Sequence, residues 1–160
     1  MRPDAAGFYF GHSAPAPESV RASSYKEHPL TPDLKYLLWS AILAFAMDLA
    51  ASAVRVNIWT PKGLMLAFGN RESLPSASPL TGRADRAARN MMVSLLLFAC
   101  VVLAAHLSGK TGGRVELGAA LFFWARLAYA PLYWLGIVYL RTAAWFAAII
   151  GIGIVASTLF

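Results

Sequence analysis

The chain has 160 residues, of which 58% are hydrophobic and 14% are charged. Soluble domains average about 25% charged residues, so this composition excludes a disordered chain, a coiled coil and a nucleic-acid binder with a basic polar surface. The excess of 14 Lys and Arg over 8 Asp and Glu fits better as positive residues flanking membrane helices on the cytoplasmic side. The composition therefore indicates an integral membrane protein in contact with lipids, with no nucleic-acid partner.

The first 30 residues differ from the rest of the chain. Proline and glycine make up five of the first 17 residues, and the apolar residues there follow no regular period. We predict a flexible N-terminal tail over 1–30 and one four-helix membrane domain over 31–160. The tail has no apolar core of the kind found in signal peptides, so we do not expect it to be one.

The first ordered element is predicted to begin at Thr31–Asp33. Threonine is a good N-cap residue, proline is favoured at the first helical position, and an acid in the first turn interacts well with the helix dipole. From Tyr36 to Val54 the only charged residue is Asp48, and about twenty apolar residues are enough to cross a bilayer. This pattern predicts a transmembrane helix that ends at Arg55.

A loop is predicted over residues 60–82, which contain six prolines and glycines. The apolar stretch Leu64–Phe68 within it is a candidate for lying on the membrane surface. The second transmembrane helix is predicted to start near Thr81, and its segment Met91–Leu107 is uncharged. The first turns of this helix are basic and contain Arg83, Arg86 and Arg89.

The C-terminal segment, Leu117–Phe160, is apolar except for Arg126 and Arg141. Its 44 residues are too long for one span at a rise of about 1.5 Å per residue, so the helix must break. Pro131 and Gly136 are the candidates for the break.

A break there gives a third helix over 115–133 and a fourth over 136–159. The predicted fold is an all-α integral membrane protein, a four-transmembrane-helix bundle running up, down, up and down. One face of this bundle carries more cations: Arg55, Lys62, Arg71, Arg83, Arg86, Arg89 and Arg141. The other has Lys26, Lys35, Lys110 and Arg114. The positive-inside rule then places the long first loop in the cytoplasm and both termini outside.

Polar residues on the second helix fall on one face. Arg86, Asn90 and Val93 recur at i, i+4 and i+7, and Arg83 extends the stripe by one turn. Charged residues inside spans are costly and tend to mark function.

The third helix has a comparable stripe of Arg126, Tyr129 and Tyr133 at i, i+3 and i+7. Packed against the stripe of the second helix, it would form a basic pocket lined with hydroxyl groups at the cytoplasmic membrane boundary. Guanidinium groups bind carboxylates through two hydrogen bonds, so the pocket suits a small anion. Lipid offers a second, lateral route for an apolar substrate.

Structural interpretations of these residues stay open. The arginines of the second helix also fit as interfacial anchors, and the tyrosines as part of an aromatic belt. Arg126 fits less well as an anchor, because long uncharged stretches surround it. Asp48 is a candidate partner for Arg126 or a structural residue, and Asn90 a candidate bridge between helices. Cys100 is the single cysteine, and the three histidines form no metal-binding pattern.

Two segments carry a resemblance to a known family. The segment Arg83–Asn90, followed by an apolar helix ending in Ala-His-Leu-Ser-Gly, resembles the second helix of the MAPEG proteins, the membrane-associated proteins of eicosanoid and glutathione metabolism. The segment Ala125–Gly136, with Arg141 beyond it, is similar to the third helix and following turn. The resemblance covers 31–160, includes the helix count and loop lengths, and points to a bacterial branch.

The resemblance implies a homotrimer that binds glutathione between neighbouring subunits, near the cytoplasmic side of the membrane. In a bacterium this would be the inner membrane. Lipophilic substrates would arrive from the bilayer, and no metal would be needed. Matched by position, the glutathione-binding residues are Arg86, Asn90, Arg126, Tyr129 and Tyr133. Arg141 is the nearest equivalent of the arginine that activates the glutathione sulfur, so it is the implied catalytic residue.

The chain departs from the family pattern at one point. Where the family usually has a glutamate three residues after the asparagine, this chain has Val93, and Ser94 follows. Valine accepts no hydrogen bond. One hypothesis is a glutathione-dependent transferase or peroxidase acting on lipophilic electrophiles. The other is a non-catalytic membrane protein that binds lipid or presents a partner. A transporter is disfavoured, because the sequence has no repeat and no pair of interrupted helices.

Overall fold

The structure, a computed structural model, describes residues 29–70 and 74–160. Over these ranges the chain forms five α-helices and no strand: α1 (Pro32–Val56), α2 (Pro61–Phe68), α3 (Pro79–Leu107), α4 (Gly113–Leu135) and α5 (Val138–Ala156). All but α2 are long and apolar enough to cross a membrane. The predicted all-α fold with four transmembrane helices is confirmed. The predicted tail lies outside the described residues, except for its last two positions.

Capping signals that contain proline set where two of the membrane helices begin. The first helix, α1, begins at Pro32 after the N-cap residue Thr31, as predicted. The start of α3 is at Pro79, two residues earlier than predicted. The Ser78 hydroxyl there accepts a hydrogen bond from the backbone N–H of Thr81 at 3.1 Å. This bond satisfies one of the backbone donors that a helix start leaves unpaired.

The predicted loop over 60–82 contains the short helix α2, so the prediction of an irregular loop was wrong for this stretch. The Thr60 hydroxyl accepts a hydrogen bond from the backbone N–H of Gly63 at 3.0 Å, and Pro61 is the first helical residue. A Cβ atom on Gly63 would lie 2.1 Å from the carbonyl oxygen of Asn57. Glycine therefore lets α2 fold back tightly against the end of α1. Treating every glycine and proline as a breaker overlooked this Thr-Pro helix start.

Of the two candidate breaks in the C-terminal segment, the structure uses Gly136. Pro131 lies inside α4. Gly136 follows the last residue of α4 with φ of 79°, a left-handed conformation that costs glycine little. Its backbone N–H accordingly donates to the carbonyl of Tyr133 at 3.1 Å. The chain then reverses direction, and α5 begins at Val138.

Polar contacts at both ends hold α3 antiparallel to α1. At one end, Asp33 Oδ2 of α1 lies 3.0 Å from His106 Nδ1 near the end of α3. At the other end, Arg55 Nη1 donates to Asp85 Oδ2 at 2.6 Å. These two contacts fix the vertical register of the pair.

Close backbone contact holds α4 against α5. Gly118 and Gly151 face each other, and a Cβ atom on either would lie 2.7 Å from the other's carbonyl oxygen. In the core, the rings of Phe98 and Phe122 stack between α3 and α4 with centroids 3.9 Å apart. The outer surface of the bundle exposes large apolar side chains such as Phe45, which is expected where helices contact lipid.

Candidate functional site

The structure brings one cluster of polar side chains together from the N-terminal half of α3, the C-terminal half of α4 and the first turns of α5. The cluster surrounds a cavity of about 230 Å³, which we call the α3–α5 cavity. Six side chains line it: Asn90, Tyr129, Tyr133, Arg141, Thr142 and Trp145. Four of these were predicted from the sequence as site residues.

The two lining residues that the sequence analysis missed both lie on α5. Thr142 directly follows Arg141, and Trp145 lies one helical turn beyond Arg141. The i, i+4 spacing from Arg141 is the signal that would have identified Trp145. The Thr142 hydroxyl donates to the carbonyl of Val138 at 2.9 Å, so this donor is already used within the helix.

Arg126 lies beneath the cavity and does not line it. Its side chain has 0% exposure and is the largest of the fully buried side chains. Nη1 donates to Asn90 Oδ1 at 2.8 Å, and Nη2 donates to the Ser94 hydroxyl. The guanidinium carbon lies 5.1 Å from the ring centroid of Tyr129. Arg126 therefore supports two lining residues from below.

The contact with Arg126 fixes how Asn90 is oriented. A guanidinium group only donates hydrogen bonds, so it takes the amide oxygen of Asn90 and leaves the amide NH₂ group for other partners. Asn90 is half-buried and lines the α3–α5 cavity. It therefore offers the cavity a hydrogen-bond donor.

Arg141 supplies the second positive charge. Its guanidinium carbon lies 4.5 Å from the ring centroid of Tyr133, a cation–π contact. The rings of Tyr133 and Tyr129 have centroids 5.3 Å apart. Two phenol groups thus lie between the buried charge of Arg126 and the half-buried charge of Arg141. Among the described residues that line the cavity, none is acidic.

Arg86 lies outside the cavity lining and is exposed. A helix turns about 100° per residue, so Asn90 is rotated about 40° from Arg86, and Ser94 about 80°, toward α4. Val93 points about 20° the other way and is 71% exposed. The predicted stripe on the second helix is therefore divided. Asn90 reaches the cavity, while the other two positions face outward.

Arg83, which extended this stripe, makes a specific contact with the next helix. Its Nε donates to the carbonyl oxygen of Trp134 at 2.9 Å. Trp134 is in the last turn of α4, where carbonyl groups lack helical partners. Arg83 therefore ties the start of α3 to the end of α4, next to the α3–α5 cavity.

Asp48 does not pair with Arg126, which had been one open interpretation. It lines a separate cavity of about 270 Å³ between α1 and α3, together with Arg89 and the ion pair of Arg55 and Asp85. No group of three or more His, Cys, Asp or Glu side chains suitable for a metal ion occurs within residues 29–70 and 74–160. The chemistry of the α3–α5 cavity is that of hydrogen-bond donors and cations.

Comparison with known proteins identifies the family. The model of the MAPEG family matches residues 34–160, which is most of the chain and all four membrane helices except Pro32 and Asp33 of α1. Searches of the curated proteins and of the solved structures found no match. On its matched length, its four apolar helices and the order of its polar motifs, this chain belongs to the MAPEG family.

Proposed function

We propose that the chain is a glutathione-dependent transferase or peroxidase that acts on lipophilic electrophiles, and that glutathione binds in the α3–α5 cavity. The proposal rests mainly on one observation, the uncompensated charge of Arg126. Its hydrogen-bond partners are the neutral side chains of Asn90 and Ser94. No carboxylate forms an ion pair with it within the described residues.

A buried charge without a counter-ion is costly, and proteins normally pair such charges. The adjacent cavity adds a second cation, Arg141, and the donors of Asn90, Tyr129 and Tyr133. An anion in the cavity would serve as counter-ion to both arginines. Glutathione carries two carboxylates, one ammonium group and an ionisable thiol, so its net charge is negative and complements the two arginines.

In this proposal the chain's residues divide the work. The amide of Asn90 and the two tyrosine hydroxyls donate to the tripeptide, while Arg141 stabilises the thiolate. A free thiol has a pKa of about 8.5, and a neighbouring cation lowers this pKa, which raises the fraction of the nucleophilic thiolate at neutral pH.

In the transferase reaction the thiolate sulfur forms a bond to an electrophilic carbon of the substrate, and the leaving group departs with the bonding electron pair. In the peroxidase reaction the sulfur attacks the distal oxygen of the hydroperoxide, the O–O bond breaks and the alcohol is released after protonation. The sulfenic acid so formed on glutathione is reduced by a second glutathione, which gives glutathione disulfide and water.

We further propose a homotrimer in which a neighbouring copy completes each site. The cavity of one copy, about 230 Å³, is smaller than the about 300–1,000 Å³ typical of small-molecule sites. Arg86 and Val93 are exposed beside it. At a seam between copies, Arg86 would reach ligand bound in the cavity, as the resemblance implies. Lipophilic substrate would arrive along the exposed apolar surface, and the long first loop would be cytoplasmic.

Titration of the purified, detergent-solubilised chain with glutathione tests the proposal. We expect saturable binding together with an increase in thiolate absorbance at neutral pH. S-methylglutathione is the matched control, because it retains both carboxylates and has no thiol to ionise. Failure of glutathione to bind at millimolar concentration would contradict the enzyme function. Binding of both ligands without any thiolate signal would favour the non-catalytic alternative. The presence of Val93 in place of the family's glutamate supports that alternative.

A further inference from the structure

A second layer of polar side chains lies directly beneath the α3–α5 cavity. Arg126 of α4 donates from its two terminal nitrogens to two acceptors on α3, Asn90 and Ser94. Ser94 is buried, with 7% exposure, and lies one helical turn beyond Asn90. In the sequence this serine is only a departure from the family pattern.

We propose that Ser94 is a positioning residue that acts through Arg126 on Asn90 and so sets the affinity of the cavity for glutathione. The inference rests on the proposed function of the cavity. Ser94 itself is outside the lining, so it exerts its effect without touching the ligand.

The spacing of the two acceptors matches the shape of the guanidinium group. Side chains at i and i+4 of a helix lie about 5–6 Å apart on the same side. A guanidinium group is planar and presents its N–H groups in a rigid fork. With both acceptors in place, Arg126 is held at two points on α3, and its plane is fixed relative to Tyr129. With Asn90 alone, it would be held at one point and would turn about that bond.

The orientation of Asn90 depends on this anchoring. Asn90 is only half-buried, so its amide is free to turn unless a partner holds the oxygen. Arg126 holds it, since a guanidinium accepts no hydrogen bond. Ser94 therefore keeps the NH₂ group of Asn90 available to a carboxylate in the cavity. Loss of the Ser94 hydroxyl would leave a buried N–H of Arg126 without an acceptor and loosen both contacts.

A double-mutant cycle on glutathione affinity tests the inference. We expect Ser94→Ala to raise the Kd for glutathione about tenfold, the size of effect that loss of one hydrogen bond to a charged group produces. In an Asn90→Ala background, Ser94→Ala should change Kd less than twofold, because its effect passes through Asn90. The thiolate absorbance per bound glutathione should stay unchanged, since it depends on Arg141.

Two comparisons separate positioning from a loss of structure. Ser94→Thr keeps a hydroxyl, and Ser94→Val introduces a side chain of nearly the same shape as threonine but without the hydroxyl. The inference therefore expects a raised Kd only for the valine variant. Ser40→Ala is the matched control. Ser40 is also buried in a membrane helix, and its hydroxyl donates to the carbonyl of Tyr36 at 2.7 Å, away from the cavity.

The outcomes distinguish this inference from the proposed function. If the unaltered protein binds glutathione and both Ser94→Ala and Ser94→Val bind it with the same Kd as the unaltered protein, the inference is overturned and the proposed function stands. If Ser94→Ala raises Kd by the same factor in the unaltered protein and in the Asn90→Ala background, the inference is also overturned, because Ser94 would then act by another route. No glutathione binding by the unaltered protein overturns both.

Discussion

The two arginines of the candidate site differ in burial, and the proposed function gives them different roles for this reason. Arg126 is fully buried and its terminal nitrogens are held by Asn90 and Ser94, so it acts through neighbouring side chains. Arg141 is half-buried, lines the cavity and lies over the ring of Tyr133. Of the two, only Arg141 lines the cavity, so the proposed function assigns the contact with the glutathione sulfur to Arg141.

Replacement of Arg141 tests its role at the sulfur. We expect Arg141→Ala to lower the thiolate fraction of bound glutathione at pH 7 about tenfold or more, because the thiol loses its cation and returns toward its free pKa of about 8.5. Absorbance titration measures the change. Arg114→Ala is the control, since Arg114 is exposed at the start of α4, away from the cavity. Unchanged thiolate absorbance in Arg141→Ala would remove this residue from the mechanism.

Restoration of the family's acid at position 93 tests the alignment of the ligand. We expect Val93→Glu to tighten glutathione binding about fivefold or more, because a carboxylate accepts hydrogen bonds from the tripeptide's N–H groups and valine accepts none. Calorimetric titration gives the affinity. Leu97→Glu adds the same charge one turn farther along the exposed face of α3 and should bring no gain. If Val93→Glu also brings none, the ligand lies elsewhere.

At the scale of the elements, the hairpin of α4 and α5 builds most of the cavity. Because α4 continues past Pro131 and the chain turns only at Gly136, the first turns of α5 run back beside the last turns of α4. This brings Arg141 over Tyr133. A break at Pro131 would have ended α4 before Tyr133 and removed this arrangement.

The contact of Gly118 with Gly151 should control how firmly the hairpin packs. A Cβ atom on Gly151 would lie 2.7 Å from the Gly118 carbonyl oxygen and 2.8 Å from the backbone nitrogen of Phe122. Since backbone gives way poorly, we expect Gly151→Ala to destabilise the fold by about 1–3 kcal/mol, the usual cost of overpacking. Thermal unfolding in detergent, followed by circular dichroism, measures this.

The matched control for Gly151 is two residues farther along the same helix. At Gly153 a Cβ atom would meet nothing within 4 Å. Gly153→Ala should therefore leave the melting temperature unchanged or raise it, because alanine favours helix more than glycine does. Equal melting temperatures for Gly151→Ala and Gly153→Ala would contradict the close packing of α4 and α5.

At the scale of the whole molecule, the proposal that a neighbouring copy completes each site leads to a prediction about mass. We expect the protein mass in detergent, measured by light scattering after size-exclusion chromatography, to be about three times 17.3 kDa. A trimer would cover part of the exposed face of α3 that contains Arg86 and Val93. A mass of one chain under conditions that support glutathione binding would contradict a shared site.

The orientation in the membrane is testable with single cysteines. The native Cys100 is first replaced by alanine, and a cysteine is introduced at Lys62 or at Lys110, both exposed and on opposite sides of the predicted membrane. The positive-inside rule predicts that an impermeant maleimide added outside the cell labels position 110 and spares position 62. The reverse labelling pattern would invert the topology and place the cavity outside.

The sequence alone determines the class of fold and the types of residue available to the site. Long uncharged stretches specify four membrane helices, because a bilayer accepts few charges. The Thr31–Pro32 start is a local signal that acts through backbone geometry, so it is readable without tertiary contacts. The sequence also requires a break in the C-terminal segment, but it leaves Pro131 and Gly136 as alternatives. Family membership follows from the same patterns and from the match over residues 34–160.

Only the tertiary structure decides which of those residues share a cavity. Periodicity shows that Arg86 and Asn90 lie near each other on one helix, but it says nothing about how that helix is rotated against α4. Packing between helices sets this rotation, through contacts such as the stacked rings of Phe98 and Phe122. A rotation of about 40° is enough to bring Asn90 into the cavity and leave Arg86 outside. The same packing buries Arg126 against Ser94. The sequence could not predict this contact, because side-chain contacts between distant segments have no signature in local sequence.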